Sequence, residues 1–149
     1  MKIKKYGKNN FILGAYIPES LCDELLEYFN YNKKYSTKGT IGKNGVRTLD
    51  TDHKESTDLV VSPGNHDGVI GEYRNHLQKV LEIYQKNYPA VDYTWRFNIT
   101  GSYNFQHYPM GGGYKTWHCE NNDPDTANRH LVFMTYLLYL NYCCDAFLL

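Results

Sequence analysis

Apolar residues recur at helical spacing early in the chain, directly after a short extended stretch. Residues 10–17 are apolar and partly β-branched, which is typical of an edge strand. Pro18 suits the first turn of a helix. The apolar positions after it are Leu21, Leu25 and Phe29. Their spacing predicts a helix that ends near Tyr31.

A second helical stripe follows Asp67. Its apolar members are Val69, Ile70, Tyr73, Leu77, Val80, Leu81, Tyr84 and Tyr88. Steps of three and four place them on one helix face, and Pro89 ends the helix because proline cannot continue it. Between the two helices, residues 33–58 are polar and aperiodic and predict a long loop with at most one short strand. Residues 59–61 predict another short strand.

From Thr94 the period of the pattern changes to two, which indicates a strand running to Gln106. The residues on its apolar face are Trp95, Phe97, Ile99, Tyr103 and Phe105. The glycines at 111–113 predict a turn, residues 114–120 a returning strand, and residues 130–140 a strand buried on both faces. Two helices followed by antiparallel strands predict an α+β fold, with the helices packed on one side of a sheet.

Composition narrows the functional classes. The chain has 149 residues, enough for a single domain. Its sixteen basic and sixteen acidic residues balance, which argues against a partner bound through bulk charge, such as nucleic acid or an anionic membrane. No apolar run approaches the roughly 18 residues of a membrane span. The fifteen tyrosines suit sheet surfaces and the walls of pockets.

The cysteines and the N-terminus indicate a protein that is not secreted. The cysteines are Cys22, Cys119, Cys143 and Cys144, with no Cys-x-x-Cys spacing; neither a disulfide framework nor a structural zinc site is expected. The basic start is followed by too short an apolar run, and no small-residue cleavage site comes after it. We expect a cytoplasmic location, in the host cytoplasm if the chain is phage-encoded.

The residues with the clearest chemical potential are His118 and Glu120. On a strand, side chains at i and i+2 point to the same face, so this imidazole and carboxylate can converge on one divalent metal ion. With a second histidine they would form the facial triad of non-haem Fe(II) oxygenases. Cys119 and Trp117 would then face the other way, toward packing partners.

The surrounding residues resemble a known family. The segment from Tyr108 to Glu120 reads Tyr-Pro-Met-Gly-Gly-Gly-Tyr-Lys-Thr-Trp-His-Cys-Glu. It is similar to the tyrosine–glycine–tyrosine–His-x-Asp segment of prolyl 4-hydroxylases and related Fe(II)/2-oxoglutarate dioxygenases of the small microbial or phage type. Residues 129–137 resemble the strand that follows in that family. The likeness covers about residues 98–137, and Glu120 stands where the family commonly has aspartate.

The resemblance implies a fold and a set of roles. The fold would be a double-stranded β-helix (jelly-roll or cupin-like) in a single domain, with helical support over residues 1–92 and a partial β-helix core over 93–149. His118 and Glu120 would be metal ligands. Tyr108 would hydrogen-bond the 2-oxoglutarate carboxylate, and Tyr114 would line the pocket. The implied reaction hydroxylates a prolyl or other peptidyl C–H with Fe(II), 2-oxoglutarate and O2, with ascorbate as reductant, on a peptide or small-molecule substrate.

The chain departs from the family after residue 120. The family has a second histidine on a later strand and then an Arg or Lys that pairs with 2-oxoglutarate. Here His130 and Arg129 are the remaining candidates, and both fall too early in the alignment. We expect the C-terminal strands to be missing, through truncation or a frameshift, and turnover to be weak or absent.

Two other interpretations stay open. The chain could be a non-catalytic remnant that keeps the fold and binds a partner. It could also hold structural zinc through His118, Cys119, Glu120 and His130, although neighbouring strand residues point to opposite faces. An incomplete sheet with free edges could also self-associate.

Overall fold

The structure is a computed structural model that describes residues 1–6, 11–93, 99, 102–121, 124, 126–127, 129–138 and 146–148. In these residues the helices are α1 (Glu19–Asn32) and α2 (Gly68–Asn87). The strands are β1 (Ile3–Lys5), β2 (Leu13–Ala15), β3 (Thr37–Lys38), β4 (Ile41–Lys43), β5 (Val46–Thr48), β6 (Lys54–Glu55), β7 (Thr57–Val61), β8 (Tyr103–Tyr108), β9 (Gly113–Tyr114), β10 (Tyr136–Leu138) and β11 (Ala146–Leu148). Short 3-10 turns span Lys33–Tyr35 and Pro89–Tyr93. The predicted α+β class is confirmed.

The residues group into two compact units, one made of Met1–Tyr28 and Ser62–Ser102, the other of Phe29–Val61 and Tyr103–Leu149. The first unit holds α2 and the antiparallel β1–β2 ribbon. Its buried apolar side chains are Leu21, Leu25, Leu26, Ile70, Tyr73, Leu77 and Leu81. These are the helical stripes of the sequence, so both predicted helices are confirmed. Neither described helix is long and apolar enough to cross a bilayer.

The second unit is built on a five-stranded antiparallel sheet with the order β10-β11-β8-β7-β3. In the central pair, Leu59 lies opposite Phe105 and Val61 opposite Tyr103, and all four side chains are buried. The Phe29 ring packs 6.1 Å from that of Phe105. This face of the sheet is the core of the unit, as the alternation of the sequence predicts.

The opposite face of the same strands is polar. Asp58 lies opposite Gln106 in the β7–β8 register, and Asn104 and Tyr108 alternate with the core residues along β8. Because side chains on a strand alternate between faces, these polar groups share one side. Tyr108, one of the predicted site residues, lies on this polar face.

The prediction of a long loop over residues 33–58 is wrong. The described structure places β3, β4, β5 and β6 there, and Lys43 pairs with Val46 across a two-residue connection. The connecting residues, Asn44 and Gly45, both have positive φ angles, 53° and 76°. Asn-Gly is the favoured sequence of such a hairpin turn, and this dipeptide is the signal that the polar composition obscured.

Two predicted strands in the C-terminal half are also wrong in extent. The returning strand stops at Tyr114, and residues 115–119 are irregular. Over 130–138 the strand covers Tyr136–Leu138 alone. Val132 and Met134 are more than half exposed and pair with no described strand, so the segment is not buried on both faces. The predicted strand residues 94–98, 100 and 101 lie outside the described part.

Candidate metal site

A tight turn returns the chain from β8 to β9. Gly111 has φ of 77°, a conformation that only glycine adopts readily, and the Gly112 amide donates to the Pro109 carbonyl at 2.8 Å. A side chain at Gly112 would stand 2.8 Å from the Glu55 carbonyl oxygen. The turn is therefore pressed against β6, and β9 pairs with that strand.

His118 and Glu120 converge, although their backbone is not a strand. His118 Nε2 lies 3.2 Å from Glu120 Oε1. His118 Nδ1 lies 3.2 Å from the Thr116 carbonyl oxygen. Both side chains are partly exposed, His118 at 33% and Glu120 at 43%. The predicted convergence therefore comes from an irregular segment in which the His118 ring contacts the backbone carbonyl of Thr116, two residues earlier.

The hydrogen bond at Thr116 determines which ring nitrogen of His118 is available. A carbonyl oxygen can only accept, so Nδ1 carries the proton. In a neutral ring, Nε2 then presents a lone pair toward a carboxylate oxygen that also offers only lone pairs. A divalent metal ion is a centre that both lone pairs could bind. Metal-ligating histidines commonly donate their other N–H to a backbone carbonyl in this way.

Two neighbours hold this pair. The Tyr114 ring stacks on the His118 imidazole with centroids 3.7 Å apart and planes at 13°. Arg129 donates to the Glu120 backbone carbonyl at 3.0 Å and lies 3.5 Å from Oε2. Arg129, which the alignment places too early for a role at the site, thus contacts the candidate ligand Glu120.

Tyr108 lies close enough to Glu120 for that carboxylate to affect its pKa. It is 9% exposed, and its hydroxyl donates to Gln106 Oε1 at 2.7 Å. Burial raises the pKa of Tyr108 to about 12, helped by the negative charges of Asp58 and Glu120. The phenol is therefore neutral at ordinary pH and can act as a hydrogen-bond donor.

A buried polar cluster lies behind this surface, and the sequence interpretation missed it. Lys54 Nζ contacts Asp58 Oδ2 at 2.7 Å, and the Ser56 hydroxyl donates to Asp58 Oδ1 at 2.6 Å. Asn104 adds a longer contact to Asp58 at 3.4 Å. Lys54 and Asp58 are 4% and 8% exposed. The sequence carries one weak signal: Lys54 and Asp58 lie four residues apart, just before the apolar run of residues 59–61. Opposite charges this close to a buried strand must be matched if they are buried with it.

The buried cluster contacts an aromatic residue of the candidate site, Tyr114. Lys54 pairs directly with Tyr114 across β6 and β9, and its ammonium lies 5.7 Å from the centre of the Tyr114 ring. Burial raises the pKa of Tyr114, and the Glu120 charge adds to the effect. One ring, Tyr114, therefore contacts both the buried cluster and the candidate ligand His118.

His118 and Glu120 could fill two of the ligand positions around one divalent metal ion. Two ligands about 2.1 Å from an ion and at right angles to each other are about 3 Å apart, which matches the His118–Glu120 separation of 3.2 Å. Within the described residues, no group of three His, Cys, Asp or Glu side chains is arranged to hold a metal. Cys119 is exposed and Trp117 fully so, so the expectation that both pack inward is wrong.

Comparisons with protein families, with characterised protein sequences and with solved structures gave no match. The functional interpretation therefore depends on the residues themselves.

Proposed function

We propose that this chain is a metal-binding protein of the Fe(II)/2-oxoglutarate dioxygenase type, in which His118 and Glu120 are the histidine and carboxylate ligands. The observation that carries the proposal is the 3.2 Å approach of His118 Nε2 to Glu120 Oε1, with Nδ1 already engaged by the Thr116 carbonyl. The jelly-roll topology of that family belongs to the same proposal, supported by the antiparallel sheet of the second unit.

The residues around the pair have separate tasks. Thr116 holds the His118 tautomer that leaves Nε2 free for the metal. Arg129 balances the charge of Glu120 and restrains its carboxylate. Tyr108 is neutral at physiological pH, as tyrosines ordinarily are, and offers a hydroxyl to a ligand carboxylate if it releases Gln106. When bound with 2-oxoglutarate and O2, Fe(II) supplies the oxidising chemistry that hydroxylates an unactivated C–H bond.

A metal titration tests the ligand assignment. Anaerobic titration of the whole chain with Fe(II), or with Co(II) as a spectroscopic substitute, should show one saturable site. His118→Ala and Glu120→Gln should each weaken it by at least about tenfold. His66→Ala is the matched control, because His66 is an exposed histidine of the other unit. Equal binding by the His118 and His66 variants would contradict the proposal.

Succinate release from 2-oxoglutarate tests the activity. Two protein ligands bind Fe(II) more weakly than three, so we expect release that is slow, dependent on iron and lost in His118→Ala. A chain that binds metal through His118 and releases no succinate would instead support a non-catalytic binding module on the same fold. The specific observation favouring that second function is that the described residues offer no three-donor group.

A further inference from the structure

The buried ion pair of the second unit, Lys54 and Asp58, is linked to the candidate site through the Tyr114 ring. Lys54 and Asp58 are 4% and 8% exposed, and their charged atoms are 2.7 Å apart. Removing two charges from water costs several kcal/mol for each ion, and an apolar pair of similar volume is often as stable or more so. Stability alone therefore does not account for an ion pair at this position.

The geometry around Lys54 is fixed from several sides. Ser56 and Asn104 complete the shell of Asp58, and Gly39 closes over the cluster, where an added Cβ would clash with the Ser56 hydroxyl. The Gly39 amide also donates to the Ser56 carbonyl at 2.9 Å. Asp58 therefore cannot rotate away, and it holds the Lys54 ammonium in one place.

The next contact leads outward. Residues directly opposite on neighbouring antiparallel strands carry their side chains on the same side of the pair, as Lys54 and Tyr114 do. The ammonium lies 5.7 Å from the Tyr114 ring centre, within the range of a cation–π attraction. The same ring stacks on His118 at 3.7 Å.

We propose that Lys54, held by Asp58, is a positioning residue for His118: it fixes the Tyr114 ring, and the ring fixes the imidazole. The inference extends the proposed function, because the oriented imidazole is the candidate metal ligand. The role of Lys54 is indirect, through its contact with the Tyr114 ring. Its effect reaches the site through Tyr114, so the effect disappears when that ring is removed.

The first experiment needs no metal. Stacking under Tyr114 shifts the ring protons of His118 upfield in the NMR spectrum of the whole chain. The pair replacement Lys54→Met with Asp58→Asn nearly keeps the volume of both side chains and leaves no lone charge, and we expect it to fold and to move the His118 ring signals toward free-histidine values. Lys115→Met with Glu55→Gln removes a neighbouring exposed ion pair, 3.4 Å long, between Glu55 of β6 and the residue that follows β9, and should leave those signals unchanged.

The second experiment is a cycle of variants read by Co(II) affinity. We expect the Lys54/Asp58 replacement to weaken Co(II) binding by about tenfold. In a Tyr114→Leu background, the same replacement should change the affinity by less than about twofold. An equal loss in both backgrounds would overturn the positioning role, and so would unchanged His118 ring shifts.

The two proposals fail separately. If the wild-type chain binds no Co(II) but the Lys54/Asp58 replacement still moves the His118 ring signals, the metal function is wrong and the positioning inference stands. If Co(II) binds through His118 and the replacement changes neither signals nor affinity, the positioning inference is wrong. Denaturant unfolding of each variant, measured in parallel, separates both results from a general loss of structure.

Discussion

Two side-chain pairs lie in the same unit of this protein, one between a lysine and a carboxylate and the other between a histidine and a carboxylate, and they differ in almost every physical respect. Lys54–Asp58 is buried, 2.7 Å long and enclosed by further hydrogen bonds. His118–Glu120 is exposed, 3.2 Å long and carried by irregular backbone. In the first pair each charge is satisfied by the other. In the second, both side chains are partly open to solvent, at 33% and 43% exposure.

The difference teaches where a ligand can enter. A charge inside the protein must be matched by the protein itself, since no water can replace a lost partner. An exposed pair contributes little to stability and can exchange its contact for a metal at small cost. The buried pair therefore fixes the local structure, whereas the exposed pair is available to bind a metal ion. The following predictions test that division, beginning with the largest effect.

Breaking the buried pair on one side should be the most damaging change. Lys54→Met removes the counter-ion of the buried Asp58 carboxyl group, and we expect a loss of about 3–5 kcal/mol in unfolding free energy, measured by denaturant titration. The control is the joint replacement Lys54→Met with Asp58→Asn, which leaves no lone charge, keeps an acceptor for Ser56 and should recover most of that loss. A single variant as stable as wild type would mean that the pair is not buried.

Tyr108 lies within the influence of both pairs, so alkaline pH should weaken the fold through it. Its pKa is about 12 in the folded chain and about 10 when unfolded. The stabilisation is fully present below pH 10 and lost as pH rises from about 10 to 12, amounting to about 3 kcal/mol. Denaturant unfolding of wild type across this range should show the fall, and Tyr108→Phe should show less of it. Equal slopes for the two proteins would contradict the assignment.

The packing of Gly39 against the buried pair can be tested by adding one methyl group. In Gly39→Ala, the new Cβ would clash with Ser56 Oγ and stand 3.1 Å from Asp58 Oδ1. Such overpacking costs about 1–3 kcal/mol, which thermal or denaturant unfolding would detect. Gly42→Ala on β4 is the matched control, since no atom lies within 4 Å of its added Cβ. Similar stabilities for both variants would show that the buried cluster has room for an added methyl group.

The exposed pair should give the smallest change in stability. Glu120→Gln removes one charge at a surface position, and we expect less than about 1 kcal/mol in unfolding free energy. Its Co(II) affinity should nevertheless fall by at least about tenfold. A stability loss as large as that of Lys54→Met would remove the contrast between the two pairs.

The periodic parts of the fold could be predicted from the sequence. The stripes that include Leu25 and Leu77 gave both helices, and Tyr103 and Phe105 marked the core face of β8, because burial of one face imposes a regular spacing. The short strands around Asn44 could not be found by periodicity. Two or three residues hold too little pattern, and their pairing depends on turn geometry and on distant partners.

The candidate site was predictable in its residues but not in its form. The His118–Glu120 spacing suggested convergence on a strand, whereas the convergence arises from a backbone carbonyl at Thr116 and a stacked ring at Tyr114. The approach of Arg129 and the link to Lys54 depend on contacts between residues far apart in the chain. No local pattern encodes such contacts, so they appear only in three dimensions.

The glycine turn at 109–112 has a consequence for how this region can change. Gly112 meets Pro109 on one side and the Glu55 carbonyl on the other, each within 3 Å of where a methyl group would stand. The residue after Gly112 begins β9, and the residue before Glu55 is Lys54. Even an alanine here would wedge the two short strands apart and so reach the imidazole indirectly. A substitution at the neighbouring Met110, whose side chain is exposed, should leave the spacing between the strands unchanged.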